Sequence, residues 1–442
     1  MAAEFPRNAR LFCWFRIFFN ARFYYPVIAV FFVDLGLTLD QYALLNVAWA
    51  GSIVAFELPL GAVADRIGRR PLVVGAAVIM VIEMAVLGFA PAGNPTVLFW
   101  VFFVNRVLSG LAEAAASGAD EALAYDTLVE EGKRELWPQV LGRLQRRMSM
   151  AFIGCMVIGG AVYDPAFVNS VLGTDFDQLT TARFPVYLTL GLSVCALVTA
   201  VRMTEPSIVV REPTTLAQSV RQTLGAGGWI VRSGFALVVI VLSILIDSPG
   251  RIVLTLGSSI YRMWQIPEAM FGVLGAAFAA VGMVAPSIAT RIMRIWTPFG
   301  ILSFIAAVVL GGLFGVSAGS AWFGIACMGV LGIGFNLLGF FTSHYLNLCA
   351  PSESRATILS FRSLAGNLSY GVFGALYAVG FKWAAGGVQP DPGSALEQTA
   401  LARTLVWVPA VFLVLLIPVF IAARRVPMMC ECERPGGVGL ND

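Results

Sequence analysis

The chain has 442 residues, of which 58% are hydrophobic and only 12% charged, with a mean hydropathy of +0.81. Soluble domains carry about 25% charged residues, so a water-soluble globular protein is excluded. The formal net charge of +3 is too small to select a nucleic-acid partner, and the information lies in how charge divides between the two faces of a membrane.

A bilayer-spanning helix needs about 20 apolar residues. Runs of that kind fall at 11–33, 42–64, 72–90, 97–119, 140–162 and 184–201, then at 235–256, 270–289, 299–316, 322–345, 356–379 and 401–422. The first of them carries bases inside the apolar stretch and no small-residue cleavage site, which predicts a retained helix and no cleaved signal. Between the sixth and seventh runs lies a polar stretch from Thr204 to Gly228, with Pro206, Pro213, Arg211 and Arg221. The expected organisation is an all-α membrane protein. A six-helix bundle over 1–203 is followed by a cytoplasmic linker over 204–231, a second bundle over 232–425 and a cytoplasmic tail over 426–442.

The short gap after the second run reads GAVADRIGRRP, Gly61 to Pro71. It packs one acid, three bases and two glycines between two apolar runs, so it must reverse the chain at a membrane face. With the amino terminus inside, this loop and Lys133, Arg134, Arg143, Arg146, Arg147, Arg291 and Arg294 are cytoplasmic. The opposite face keeps Arg183, Arg262, Lys382 and Arg403 among acids such as Asp164, Asp175 and Glu268. Positive loops stay inside, so both termini are expected on the cytoplasmic side of a cytoplasmic (inner) membrane.

Several chemistries have no basis in these residues. The two lysines, Lys133 and Lys382, lie in no phosphate-binding loop, so ATP-driven pumping is not encoded. The single histidine, His344, and the seven cysteines form no cluster with metal-ligand spacing, apart from the tail pair Cys430 and Cys432, read as part of a solvated tail. No enzyme activity and no bound cofactor are expected.

Charges inside the apolar runs are the remaining candidates, because an ionisable side chain in hydrocarbon needs a partner or a water-filled cavity. Arg106, in NRVLSG, lies about 15 Å along the fourth run at about 1.5 Å per residue. Glu113 follows two turns later, and Glu57 and Arg22 face the same interior from the second and first runs. Two readings stay open for this set: an arginine-controlled carboxylate that carries protons, or static ion pairs that orient helices. Asp120, Glu121 and Asp126 are expected to meet Arg143, Arg146 and Arg147 as interfacial pairs. Asp247 and Arg251 stand at i,i+4, the spacing of an intrahelical pair. Pro249-Gly250 between them predicts a break or kink, and with it a substrate site or a self-neutralised pair. His344 is expected to be an interfacial residue.

The G-x-x-x-D-R-x-G-R-R pattern resembles the loop between helices 2 and 3 of the major facilitator superfamily of secondary transporters. Asn105 to Gly110 resembles that family's R-x-x-Q-G motif, with Ser109 in place of Gln. A faded second copy, PSIATRIMRIW from Pro286, fits a duplicated architecture. In helix 5, Gly154, Gly159 and Gly160 partly resemble the glycine-rich motif of drug antiporters, without its Gly-Pro step.

The resemblance implies two six-helix bundles working by alternating access around a midplane site. It further implies a gating loop of Gly61, Asp65, Arg66, Gly68, Arg69 and Arg70, in which Asp65 latches onto the helix start near Pro351–Arg355. The function implied is secondary transport of a small organic molecule across a lipid membrane, driven by an ion gradient of protons, directed outward, by a monomer. Uptake of a metabolite or sugar is the alternative, and a clustered set of polar residues at mid-bundle would favour it. A non-transporting sensor or scaffold is the alternative of another class.

Overall fold

The computed structural model describes residues 5–91, 93–207, 216–283, 285–351 and 355–426. Among them every regular element is helical. The first half holds α1 (Arg7–Asn20), α2 (Ile28–Asp34), α3 (Leu39–Ile67), α4 (Arg69–Gly88), α5 (Pro95–Ala116), α6 (Ala119–Glu130), α7 (Trp137–Tyr163), α8 (Pro165–Leu172) and α9 (Gln178–Val201). After α10 (Leu216–Arg232) come α11 (Gly234–Thr255), α12 (Gly257–Met263), α13 (Ala269–Gly282) and α14 (Ala285–Met293). The last four are α15 (Pro298–Ser317), α16 (Ala321–Cys349), α17 (Arg355–Ala384) and α18 (Ala395–Ala423). Ten of these segments are long and apolar enough to cross a membrane, or up to twelve when each bent pair is one span. Part of the stretch read as linker is helical, as α10.

Local chemistry sets the helix starts. Asn94 accepts from Thr96 and Val97 with Pro95 at the first position of α5, and Thr297 with Pro298 opens α15 in the same way. Thr38 and Gln41 form a reciprocal capping box on α3. Such caps satisfy amides that the helix itself leaves unpaired. Asp164 followed by Pro165 ends α7 and caps α8, so the chain turns there by 84° instead of continuing. Pro249 does not end α11, so of the expected break or kink there is no break: the helix continues to Thr255. A buried transmembrane helix tolerates the one lost bond, and the neighbouring Ser248 hydroxyl turns back on the Ile244 carbonyl at 3.0 Å.

The chain divides into two compact units. Unit 1 comprises residues 1–219 with two later segments, 257–279 and 390–397. In it α5 packs between α3 and α4, and α9 lies against α1 and α4. Its core is aromatic: Phe32 meets Tyr42 and Phe102 with ring centroids 5.2 and 5.0 Å apart. Unit 2 comprises 220–256, 280–389 and 398–442. Here α11 packs against α15, α16 and α17.

Candidate functional site

The loop read as a gate is anchored within unit 1 from both sides. Gly68 joins α3 to α4 at φ +96°, a conformation that favours glycine. The Glu205 carboxylate accepts from the Arg69 and Arg70 amides of the α4 start at 3.0 and 2.7 Å. Arg70 does the converse at the end of α9, donating to the Met203 and Val201 carbonyls at 2.6 and 3.0 Å. An acid at a helix start and a base at a helix end both complement the helix dipole. Arg69 also pairs with Asp126 of α6. Arg66 and Gly61 are exposed. The Asp65 side chain and residues 352–354, on which the expected latch rests, lie outside the described residues. Glu205 escaped the sequence reading, because a lone acid past the end of a span looks like ordinary solvated loop.

Asp120 and Asp126 meet other partners than Arg143, Arg146 and Arg147 of α7. Arg16 of α1 holds the fully buried Asp120 at 2.6 Å, while Arg143 and Arg147 lie over the rings of Phe5 and Trp14. A carboxylate without solvent needs a cation inside the bundle, and α1 supplies it.

Among the interior charges, Arg22 pairs with a residue that the sequence reading missed. Its Nη1 donates to Glu83 Oε1 at 2.5 Å and to the Tyr24 hydroxyl at 2.9 Å. Arg22 is 4% exposed and Glu83 not at all. Asn105 donates to the Glu83 backbone carbonyl at 2.7 Å, so Glu83 links α4 to α5 through its carbonyl and to the segment after α1 through its carboxylate. The signal was present: Glu83 is the lone acid in the apolar run 72–90.

Arg106, the next residue, is 6% exposed. Among the described residues it forms no hydrogen bond or ion pair, and its guanidinium stands over the Phe32 ring at 5.0 Å. Its Nε and Nη2 are buried without an acceptor. Glu113 does not pair with it: seven residues of helix put them about 10 Å apart along the axis. Glu113 on α5 and Glu57 on α3 are half-buried.

In unit 2 the i,i+4 pair forms as the spacing predicts, with Arg251 Nη2 2.5 Å from Asp247 Oδ2. The pair opens onto a cavity of about 220 Å³, whose polar wall is Ser243, Asp247, Arg251, Arg362, Ser363 and Asn367. Phe335 and Leu338 close its apolar side. A second, apolar cavity of about 130 Å³ lies between Pro249, Phe373, Tyr377 and Trp407.

A further charge cluster lies in unit 1. Arg262 on α12 donates to both Asp34 oxygens at 2.5 and 2.8 Å and to Glu268 at 2.9 Å. Tyr163 donates to Asp34 at 2.5 Å and Gln178 to Glu268 at 3.1 Å. Burial works against the Arg262 charge, but the hydrogen bonds and charge of Asp34 outweigh it and hold the guanidinium above its ordinary pKa. Burial pushes Glu268 above the usual carboxylate range against the pull of Arg262. Removing Arg262 leaves two acids facing each other. Arg262→Gln is therefore expected to cost about 1–3 kcal/mol, less than the about 3–5 kcal/mol of a fully buried pair, since Arg262 keeps 27% of its exposure. Thermal unfolding of the purified protein checks this, with Asp34→Asn expected to cost less.

His344 is exposed and stacks on Phe340. Among the described residues no group of three or more His, Cys, Asp or Glu could hold a metal ion. Cys430 and Cys432 lie outside them.

Long apolar helices, ion pairs inside their bundles and a polar cavity between helices of unit 2 define a polytopic membrane protein with polar groups in its interior. The chain belongs to the Major Facilitator Superfamily, whose family profile matches residues 11–374. It is 24% identical over 165 residues to the MFS-type transporter ppzB of Metarhizium rileyi (strain RCEF 4871), covering 36% of this chain and 30% of that protein. To the class G tetracycline resistance protein of Vibrio anguillarum it is 28% identical over 154 residues, 34% of each. The chain thus matches about a third of the length of these curated relatives. Among solved structures, the nucleoside transporter NupG superposes with a TM-score of 0.70 at 12% identity, covering 95% of this chain and 99% of that one. A bacterial homologue of the human lysosomal transporter Spinster gives 0.71 at 13% identity, covering 96% of each chain. A D-xylose–proton symporter gives 0.61 at 14%, with the same coverage. These likenesses show the fold.

Proposed function

We propose that this protein is a secondary transporter that moves a small organic molecule by alternating access, outward, at the expense of a proton gradient. The observation that carries the reading is Arg106. A guanidinium so deep in a membrane-spanning helix, with two nitrogens unsatisfied and no counter-ion among the described residues, destabilises the resting bundle. Its charge favours deprotonation of any carboxylate that approaches it. Glu113 and Glu57, half-buried on the helices nearest by, are the carboxylates proposed to load and release the proton. The gating loop supports the same reading, because Glu205, Arg69 and Arg70 make it a rigid part of its own unit, able to move with that unit as one body. Both termini are assigned to the cytoplasmic side from the arginine distribution, in a monomer.

Uptake is the second reading, and one observation favours it. The cavity of Asp247, Arg251, Arg362 and Asn367 is the clustered polar site that a symporter of a hydrophilic metabolite would need.

The test uses inside-out vesicles with an acid interior and a pH-sensitive dye, with tetracycline, D-xylose, uridine and benzoate added in turn. Loss of the gradient on adding one compound, absent in Arg106→Ala, is the expected result. A flat response to all of them contradicts proton-coupled export.

A further inference from the structure

The polar cavity of unit 2 carries an unbalanced charge. Two guanidinium groups, Arg251 and Arg362, share it with one carboxylate, Asp247. Arg251 uses that carboxylate at 2.5 Å and rests on the Tyr370 ring at 5.2 Å. Arg362 lies within electrostatic reach of both, yet makes neither a hydrogen bond nor an ion pair with the described residues. Ser363 and Asn367, on the same wall, also have no hydrogen-bond partner among the described residues. Arg362 and Asn367 are half-buried and Ser363 is exposed, and the three polar side chains converge on one space, open to a ligand. The depth is mid-membrane: Asp247 lies about 20 Å along α11 at about 1.5 Å per residue. The volume is below the about 300 Å³ at which drug-sized pockets begin.

We propose that this cavity is an anion subsite, in which Arg362 receives a carboxylate or phosphate group of the transported molecule. Asp247 holds Arg251 in place, so that its charge contributes without competing for the ligand's oxygens. Arg362 presents a planar fork that matches two oxygens of one group. Asn367 and Ser363 lie at i+5 and i+1 from it on α17 and add neutral donors. The arrangement selects a small organic anion over its neutral or cationic counterpart. The inference deepens the transporter reading and rests on it for the word "transported". The binding itself does not.

The experiment measures equilibrium binding to the full-length purified protein in nanodiscs of phosphatidylcholine, away from any transport readout. Benzoate, pyruvate and inorganic phosphate are compared with benzamide and pyruvamide. At least one anion is expected to bind at least tenfold more tightly than the neutral compounds. Arg362→Gln is expected to abolish this preference and Arg362→Lys to keep part of it. Since Arg362 makes no hydrogen bond or ion pair with the described residues, neither variant should alter the elution profile of the free protein or lower its melting temperature. Binding indifferent to charge, or unchanged in Arg362→Gln, overturns the subsite. A second arm replaces a tenth of the lipid with phosphatidylglycerol. Arg362-dependent stabilisation by that lipid, with none from the soluble anions, makes the occupant a lipid headgroup and overturns the substrate assignment. Anion binding without any flux in proteoliposomes leaves the subsite standing and defeats the transporter reading, whereas flux of a cation indifferent to Arg362 does the reverse.

Discussion

Gly159→Ala is expected to abolish the folded protein. A Cβ built at Gly159 on α7 would stand 1.7 Å from the Phe23 carbonyl oxygen and 2.7 Å from its carbon. Both are backbone atoms in the segment between α1 and α2, held by the Arg22–Glu83 pair beside them, and cannot rotate away. The neighbouring crossing is as close: a Cβ at Gly272 of α13 would lie 2.0 Å from the Met156 carbonyl oxygen, and one at Gly160 would lie 2.6 Å from the Gly272 amide. Small residues let membrane helices approach to backbone distance. Ordinary overpacking costs about 1–3 kcal/mol because side chains give way, and here nothing gives. Gly154, one turn earlier on α7, has no atom within 4 Å of an added Cβ. Gly154→Ala is therefore expected to be neutral or stabilising by up to about 1 kcal/mol through helix propensity. The check is the yield of monodisperse protein and its melting temperature. Equal behaviour of the two variants would contradict the packing account.

Arg22→Ala and Glu83→Ala should each cost about 3–5 kcal/mol, because either leaves a charge buried without its partner. The double replacement Arg22→Met with Glu83→Leu is expected to recover most of that loss, since an apolar pair avoids desolvation altogether. Thermal unfolding of the wild type, Arg22→Met, Glu83→Leu and the double variant forms a double-mutant cycle, with a coupling energy large against the about 0.5 kcal/mol limit for independent sites. The same cycle separates the two readings of Arg22. A static tie predicts that the apolar double variant transports normally once folded, whereas a proton-carrying role predicts a stable but uncoupled protein. Asn105, which donates to the Glu83 carbonyl, keeps its bond in either case.

Much of the fold was legible because hydropathy in a membrane chain is a strong signal. Almost every apolar run became a helix, and the caps at Asn94, Asp164 and Thr297 sit where Pro follows a polar residue. The i,i+4 pair of Asp247 and Arg251 was readable because both partners lie on one helix. Glu83, Arg362 and Glu205 were not singled out, and each makes its case only through a different segment of the chain. Glu83 answers Arg22 across 61 positions and Glu205 answers the Arg69 amide across 136. Arg362 matters because it faces Asp247 and Arg251 without a hydrogen-bond or ion-pair partner of its own among the described residues. Periodicity along one helix cannot encode which face of another will meet it. Pro249 failed as a breaker for a related reason, since burial within unit 2 retains the helix that an isolated segment would lose.

Arg106 carries the central claim, and counterflow measures it most directly. Proteoliposomes are loaded with the panel compound that dissipates the proton gradient, and its exchange is followed with no pH difference, then its accumulation with one. Exchange needs only alternating access, while accumulation needs the coupled proton. Arg106→Gln is predicted to retain exchange and lose gradient-driven accumulation, with Arg106→Lys restoring part of it. Loss of both in equal measure, in a protein of wild-type melting temperature, or full retention of both, would contradict a coupling role for Arg106.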